Sequence, residues 1–277
     1  MNPDLHCHSH NSDGQHSPEF LISRARENGI THLSITDHDV ITWNEEASRQ
    51  LTGIQLIPGV EISCQWESRE IHVVGLFISP TQNELQELLY KQRQVRVRRF
   101  QTMDQKLREQ DIYGLTDFLQ ALPSQTWTRS HVAGFLIDNG HCKNWQKAFT
   151  RFLSRKGKVY VPFECHSLET VVKAIVDANG IAVLAHPGRY GLSKSRLEKL
   201  FREFVALGGQ ALEGSYGNID SATRKHLCQL AIAYDAYISV GSDFHDASRH
   251  WTDLGKLPAL DTDSNKNAIW NHPRWHF

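Results

Sequence analysis

Residues 5–14 read LHCHSHNSDG and residues 35–40 read ITDHDV, and together they contain closely spaced histidines and aspartates next to short apolar runs. Such runs are typical of β-strands. His6 and His8 are two residues apart, so on a strand their side chains point to the same face. Neutral imidazoles and carboxylates at strand ends are typical ligands of divalent metal ions. This stretch therefore predicts a metal site carried by an α/β fold.

Four later motifs repeat the pattern of a ligand-type residue at the end of an apolar run. They are GVEIS at 59–63, IHVVG at 71–75, AHPG at 185–188 and GSDFH at 241–245. Unrelated structural histidines have no reason to favour the carboxyl ends of strands together with acids. Six imidazoles and three carboxylates are enough for two or three ions. The predicted metal ligands are His6, His8, Asp13, His38, Glu61, His72, His186, Asp243 and His245.

Outside these motifs the chain alternates predicted strands and helices. One example is the helix that Ser17, Pro18 and Glu19 would start and Gly29 would end. The length of 277 residues and the 40% apolar content suit one large α/β domain. Repeated βα units predict a parallel sheet, closed or nearly closed into a barrel. In such barrels functional residues lie on the loops after the strands.

The alternation stops between residues 81 and 156, where the spacing of apolar residues predicts several helices and no convincing strand. We interpret 81–156 as a helical insertion that forms a substrate lid or an RNA contact. Residues 1–80 and 157–277 would form the metal-binding catalytic barrel, with KVYVPF at 158–163 in extended conformation.

Charge and cysteine content narrow the class of protein. The formal net charge is −1, and no apolar run approaches the roughly 18 residues that a membrane span needs. The five cysteines are scattered and form no CxxC pair, which argues against disulfides and Cys-type zinc sites. We see no secretory signal and expect a cytoplasmic protein without a membrane partner. The sequence leaves the oligomeric state open and is compatible with a monomer.

A local excess of positive charge lies within the predicted insertion. Residues 91–108 contain seven basic residues and one acid. Cationic surface supplies sequence-independent affinity for nucleic acid, so this helix could contact an RNA backbone. The same charge run could equally be a solvated helix face.

The motifs HCHSHNSDG, ITDHD, GVEIS, IHVVG, AHPG and GSDFH occur in the order found in the PHP (polymerase and histidinol phosphatase) phosphoesterases. The resemblance covers about 200 residues across both predicted barrel segments. TRSHVAGFLID at 128–138 and KGKVYVP at 156–162 further resemble the TrpH-like branch. That branch contains the 5′→3′ exoribonuclease RNase AM and nucleoside 3′,5′-bisphosphate phosphatases.

The resemblance implies a distorted (β/α)7 PHP barrel, here with an inserted small helical domain. It also implies three divalent metal ions, most commonly Mn²⁺, with Zn²⁺, Fe²⁺ or Mg²⁺ as alternatives. Carried over by motif, the ligand sets would be His6, His8, Glu61 and Asp243 for the first ion, Glu61, His72 and His186 for the second, and Asp13, His38 and His245 for the third.

Metal ions at close spacing can activate water, clamp a phosphate and stabilise the leaving oxygen. The predicted nucleophile is therefore a metal-bridging hydroxide held by Glu61, Asp243 and His186. The sequence assigns no general acid.

A second anion site would be needed to distinguish nucleotide substrates from simple monoesters. The residues that the sequence suggests for it are Arg129, Ser130, His131, Lys156, Lys158, Tyr160 and Arg189. A serine that opens a helix could also direct backbone N–H groups toward a phosphate. An ordinary helix cap and solvated surface charge are the alternatives for these residues.

Together these observations favour a metal-dependent phosphoesterase acting on 5′-phosphorylated RNA ends, as a 5′→3′ exoribonuclease, and on nucleoside 3′,5′-bisphosphates. Maturation of ribosomal RNA 5′ ends is one role compatible with this activity. Three alternatives stay open at this point. They are a phosphatase of histidinol phosphate or another small phosphomonoester, an amidohydrolase-type metal barrel, and a non-catalytic metal-dependent RNA-binding module.

Overall fold

Strands and helices alternate along most of the chain in the computed structural model, which describes residues 1–248 and 252–276. The strands are β1 Pro3–Cys7, β2 His32–Ile35, β3 Gln55–Leu56, β4 Gly59–Trp66, β5 Arg69–Leu76, β6 Ile181–Leu184, β7 Ala211–Tyr216 and β8 Tyr237–Gly241. The helices are α1 Pro18–Glu27, α2 Glu45–Gln50, α3 Asn83–Arg108, α4 Leu115–Ala121, α5 Arg129–Asp138, α6 Trp145–Ala148, α7 Leu168–Asp177, α8 Lys194–Ala206 and α9 Ser221–Ala233. A π-helical turn, Phe149–Leu153, continues α6.

The described strands form two sheets rather than one ring. The first has the order β1-β2-β3 and is parallel, and the second has the order β4-β5-β6-β7-β8. Isolated bridges between Cys7 and Phe244 and between His38 and Glu61 join their edges. The α/β class is therefore confirmed, whereas continuous pairing around a closed barrel is not seen among the described residues.

The prediction of uniformly parallel βα units is wrong at one place. β4 pairs with β5, and β5 with β6, in antiparallel fashion. Only Glu67 and Ser68 separate β4 from β5, and Glu67 has a positive φ of 51°. A two-residue connection can form a hairpin but cannot hold the crossover that parallel strands require.

The helical segment packs around its own buried cluster, which includes Phe100, Met103, Leu136 and Phe152. The predicted extended run at 158–163 forms no strand. The amide of Val159 instead donates to the carbonyl of Phe152, so this run folds back on the π turn. The division into domains at residues 80 and 157 stays a prediction.

Two further features concern the cysteines and the helices. All five cysteines are free thiols, and four of them are buried. In residues 1–248 and 252–276, no helix combines the length and the apolar character that crossing a membrane requires.

Candidate metal centre

β1 delivers the first two ligand candidates to the centre of the fold. His6 and His8 are fully buried, and their Nε2 atoms lie 3.1 Å apart. β8 passes directly behind β1 at Gly241, where a Cβ atom would lie 2.3 Å from the Cβ of His6. Only glycine permits this close approach, and it places Asp243 beside both histidines.

The other candidates lie within the strands that surround β1 or shortly after those strands end. His38 follows β2, Glu61 and His72 lie within β4 and β5, and His186 follows β6. His186 and Asp243 adopt positive φ angles of 30° and 53°. Non-glycine residues rarely adopt such angles, and they occur preferentially at functional sites.

All nine predicted ligands meet in four overlapping groups whose ligand atoms lie within 4.8 Å of one another. The groups are His8, Asp13, His38 and His245; His6, Glu61 and His186; His6, His8 and Asp243; and His38, Glu61 and His72. The groups overlap the three predicted ligand sets without matching them member for member. His8 also lies with the set around Asp13, and His38 also lies with Glu61 and His72.

Glu61 lies at the centre of this arrangement and is fully buried. Its Oε1 is 2.9 Å from both His72 Nδ1 and His186 Nε2, and its Oε2 is 2.9 Å from His38 Nδ1. Asp243 Oδ1 lies 3.1 Å from His8 Nε2. A carboxylate with a different imidazole at each oxygen is placed to bridge two cations.

The residues present fit divalent metal ions. The buried oxygens Asp13 Oδ1 and Glu61 Oε2 have no hydrogen-bond donor of good geometry among the described residues. Buried carboxylate oxygens are costly to leave unpaired, and a cation would satisfy them. The mixed imidazole and carboxylate donor set suits Mn²⁺, Fe²⁺ or Zn²⁺ rather than Ca²⁺.

The neutral imidazole of His8 and the ionised carboxylates of the site favour cation binding. Burial lowers the pKa of His8 to about 3, and the neighbouring His245 adds to this effect, so His8 is neutral and can coordinate. Burial opposes ionisation of Glu61, but the surrounding histidines outweigh it and hold the pKa of this carboxyl well below its usual value. Burial also opposes ionisation of Asp13 and Asp243. His245 and His38 outweigh it at Asp13, and Arg189 and His245 outweigh it at Asp243, so the pKa values of both carboxyls lie well below their usual values.

Several residues that contact the candidate ligands were not predicted from the sequence. Glu213 of β7 contacts His6 Nδ1 at 2.6 Å and accepts the backbone N–H of His186 at 2.5 Å. Thr128 Oγ1 donates to Asp13 Oδ2 at 2.9 Å. Glu213 is the one charged residue in the buried strand β7, and this feature of the sequence could have identified it.

A cavity of about 230 Å³ opens beside the candidate ligands, and its lining also contains arginines. Arg129 and Ser130, both predicted for substrate binding, line this cavity. Arg129 Nη2 is 3.5 Å from Glu70. The backbone N–H of Ser130 donates to the Oγ1 of Thr128, the N-cap residue of α5, so this N–H is satisfied within the helix cap.

Arg99 of α3 also lines the cavity and was not singled out from the sequence. Its Nε donates to the carbonyl of Val161 and its guanidinium stacks on Phe163, with the side chain only 3% exposed. Its Nη2 lies 4.0 Å from Glu70 and has no hydrogen-bond acceptor among the described residues. A fixed cation with a free donor at a cavity is suited to bind an anion.

The remaining predicted substrate residues divide into two sets. Arg189 lines the cavity and pairs with Asp243, and Tyr160 lines an adjoining groove. His131 accepts the Thr128 N–H in a capping box, so its contacts are those of a helix cap. Lys156 and Lys158 are exposed, and Lys158 donates to Gln110. The structure does not bring these last three residues to the cavity.

Comparison with known proteins agrees with this geometry. The PHP domain model matches residues 4–155. A 5′-3′ exoribonuclease of Haemophilus influenzae is 38% identical, with 96% of this chain and 97% of that protein covered. A 3′,5′-nucleoside bisphosphate phosphatase of Chromobacterium violaceum is 34% identical, with 94% of this chain and 92% of that protein covered.

A solved structure supports the same relationship. It is a Chromobacterium violaceum protein described as an amidohydrolase, with bound sulfate and no metal. Its sequence is 34% identical to this chain and the TM-score is 0.90. The alignment covers 98% of this chain and 95% of that protein. Since the family model spans more than half of the chain and the relatives align over nearly all of it, this chain belongs to the PHP domain family.

Proposed function

We propose that this protein is a metal-dependent phosphoesterase that removes nucleotides from 5′-phosphorylated RNA ends and hydrolyses nucleoside 3′,5′-bisphosphates. The observation that carries the proposal is one cavity lined by seven of the nine candidate metal ligands and by the guanidinium groups of Arg99 and Arg129. Relatives named for each of the two activities, aligned over more than nine-tenths of the chain, support it.

The two substrates present the same reactive unit. Both contain a nucleoside with a 5′-phosphate and a phosphorus atom bonded to its 3′-oxygen. Water adds to that phosphorus, the bond to the 3′-oxygen breaks, and the oxygen receives a proton. The products are a nucleoside 5′-phosphate and either inorganic phosphate or a shortened strand that again begins with a 5′-phosphate.

We assign three divalent ions, with Mn²⁺ as the first choice, to the nine ligands. When bound, such ions lower the pKa of coordinated water and neutralise phosphate oxygens. The protein supplies the fixed geometry, since Glu61, Asp243 and His186 converge where the reacting phosphate would lie. Arg189 pairs with Asp243 and donates to the carbonyl of Gly217, so it orients this carboxylate at the cavity.

The part of the cavity around Arg99 and Arg129 is suited to the terminal phosphate. Arg99 and Arg129 are held near Glu70, whose carboxylate does not satisfy the free Nη2 of Arg99. A terminal phosphate carries about 1.5 to 2 negative charges at neutral pH. We infer that it binds these two arginines while the next phosphate lies at the metal centre.

Residues 81–156 supply Arg99, Arg129 and Ser130 to the lining of the cavity. This supports a role for the helical segment as a substrate lid over a barrel-like PHP core. The exposed residues of α3, such as Lys91 and Arg98, could add RNA contacts. Five free thiols are consistent with a cytoplasmic location.

The test is hydrolysis of a 5′-phosphorylated oligoribonucleotide and a nucleoside 3′,5′-bisphosphate in the presence of Mn²⁺. We expect nucleoside 5′-phosphates from both, and loss of both activities in Asp243→Ala. Asp117→Ala removes an exposed carboxylate remote from the cavity and should behave as wild type. The proposal fails if wild type releases no product, or if Asp243→Ala is fully active.

A further inference from the structure

The metal cavity continues into two grooves of similar size. One, of about 880 Å³, is lined by Asn144, Trp145, Gln146, Phe149 and Asn218, and we call it the tryptophan groove. The other, of about 780 Å³, is lined by Arg69, Arg129, Arg155, Tyr160, Phe163 and Tyr190, and we call it the arginine groove. The tryptophan groove shares Asp13, Ser130, Phe149 and Asp243 with the cavity, and the arginine groove shares Glu70 and Arg129.

The two grooves differ in charge. The arginine groove has three guanidinium groups against Glu70 and Glu164. In the described lining of the tryptophan groove, Arg189 is the one arginine or lysine, and it is paired with Asp243. The rest of the described lining contains Asp13, Asp243 and Asp246, four neutral amides, and the rings of Trp145, Phe149 and His245. The arginine groove therefore suits a doubly charged phosphate, and the tryptophan groove suits a nucleobase.

Two aromatic side chains of the tryptophan groove lie one helical turn apart. Trp145 opens α6, and its side chain remains 39% exposed although tryptophan is usually buried. Phe149 begins the π-helical turn and lines both the groove and the metal cavity. π-helical turns are rare and occur frequently at functional sites. Aromatic rings beside a phosphate site provide a sequence-independent surface for base stacking.

We propose that the tryptophan groove binds the nucleotide that follows the scissile phosphate, with its base stacked on Trp145 and Phe149. This inference rests on the proposed function. The tryptophan groove opens from the metal cavity without sharing Arg99 or Arg129. A strand with its terminal phosphate on these arginines and its next phosphate at the metal centre can therefore continue into this groove.

This assignment separates the two substrates. A nucleoside 3′,5′-bisphosphate ends at the scissile phosphate and does not reach the tryptophan groove. An oligoribonucleotide extends into it. Trp145 should therefore contribute to hydrolysis of RNA and not to hydrolysis of the bisphosphate.

The experiment compares Trp145→Ala, Trp145→Phe and Tyr113→Ala with wild type on a 5′-phosphorylated pentaribonucleotide and on a nucleoside 3′,5′-bisphosphate, with Mn²⁺. Stacking is worth about 1–3 kcal/mol per base. We expect Trp145→Ala to lower kcat/KM for RNA about ten- to hundredfold, mainly through KM, and to leave the bisphosphate within about twofold. Trp145→Phe should retain most RNA activity. Tyr113 is 63% exposed on the same helical segment and lines neither groove, so its variant is the matched control.

Equal losses on both substrates, or no loss on RNA, would overturn the inference. Binding provides an independent measurement. A labelled pentaribonucleotide should bind Asp243→Ala protein about tenfold or more tightly than the protein with Trp145→Ala added. Equal affinity contradicts the groove assignment even if wild type turns over no RNA. Absence of turnover on both substrates, with the affinity difference preserved, contradicts the proposed function alone.

Discussion

Glu213 Oε1 lies 2.6 Å from His6 Nδ1 in the buried centre of the protein, and 207 residues separate the two in the chain. This contact fixes the orientation of the imidazole, so that Nε2 faces His8 and the cavity. The second oxygen of Glu213 accepts the N–H of His186. One carboxylate thus positions ligand candidates from β1 and from the end of β6.

Glu213→Gln should weaken metal binding and activity while the fold persists. An amide can occupy the same space, but it does not hold the His6 ring in the same protonation state. Loss of such outer contacts typically costs about 10- to 100-fold in metal affinity or activity. Mn²⁺ titration and kcat measurements check this. Glu198→Gln changes a carboxylate on the exposed side of α8 and should have no effect.

Metal binding should depend on pH. Burial lowers the pKa of His72, but Glu61 and Glu70 outweigh it and raise the value to about 10. For His245 the corresponding balance, with Asp13 and Asp243, raises the pKa to about 9. Both are protonated in the metal-free protein at pH 7 and must lose protons to coordinate, so apparent metal affinity should rise from pH 6 to pH 9. Calorimetry in buffers of different ionisation enthalpy should detect proton release, and its absence would contradict the prediction.

Removal of metal should lower thermal stability. Ions that bind only the folded state stabilise it by about 2.7 kcal/mol at a concentration of 100 Kd. Chelation followed by Mn²⁺ addition should reversibly lower and then raise Tm. The shift should be strongly reduced in Asp13→Asn, which removes the charge of a ligand candidate. An equal shift in that variant would argue against this site.

Arg99→Gln should remove the preference for a 5′-phosphate. Hydrogen bonds to charged groups contribute about 1.5–3 kcal/mol, which corresponds to roughly ten- to a hundredfold in kcat/KM. RNA with a 5′-phosphate should therefore lose this factor, and RNA with a 5′-hydroxyl should not. Arg202→Gln is the control, because Arg202 is an exposed arginine of α8 that lines neither the cavity nor either groove. Equal losses on both RNAs would indicate a structural role for Arg99.

Arg96→Met should destabilise the protein. Arg96 Nε lies 2.6 Å from Asp39 Oδ2, and both side chains are almost fully buried. Removing one partner of a buried pair leaves an unpaired charge and typically costs about 3–5 kcal/mol. Denaturant unfolding measures the change, with Arg98→Met as the exposed control. A loss below about 1 kcal/mol would contradict the prediction.

The sequence alone predicted the α/β class, the family and the residues that converge at the centre. These predictions succeed because the signals are local. The spacing of His6 and His8 places them on one face of a strand, and the periodicity of residues 81–111 predicts a long helix, which is observed as α3. Apolar runs with a ligand-type residue mark strands whatever their order in the sheet, although Glu61 and His72 lie within β4 and β5 and not at their carboxyl ends.

Tertiary structure alone decided the antiparallel pairing of β5 with β6 and the contact of Glu213 with His6, and it left Nη2 of Arg99 without an acceptor among the described residues. Each of these depends on segments far apart in the chain. The local spacing of residues indicates which face of a helix or strand a side chain occupies. It does not indicate which part of the protein packs against that face. For this protein, the sequence therefore identified the side chains that converge as candidate metal ligands, and packing decided the walls and grooves around them.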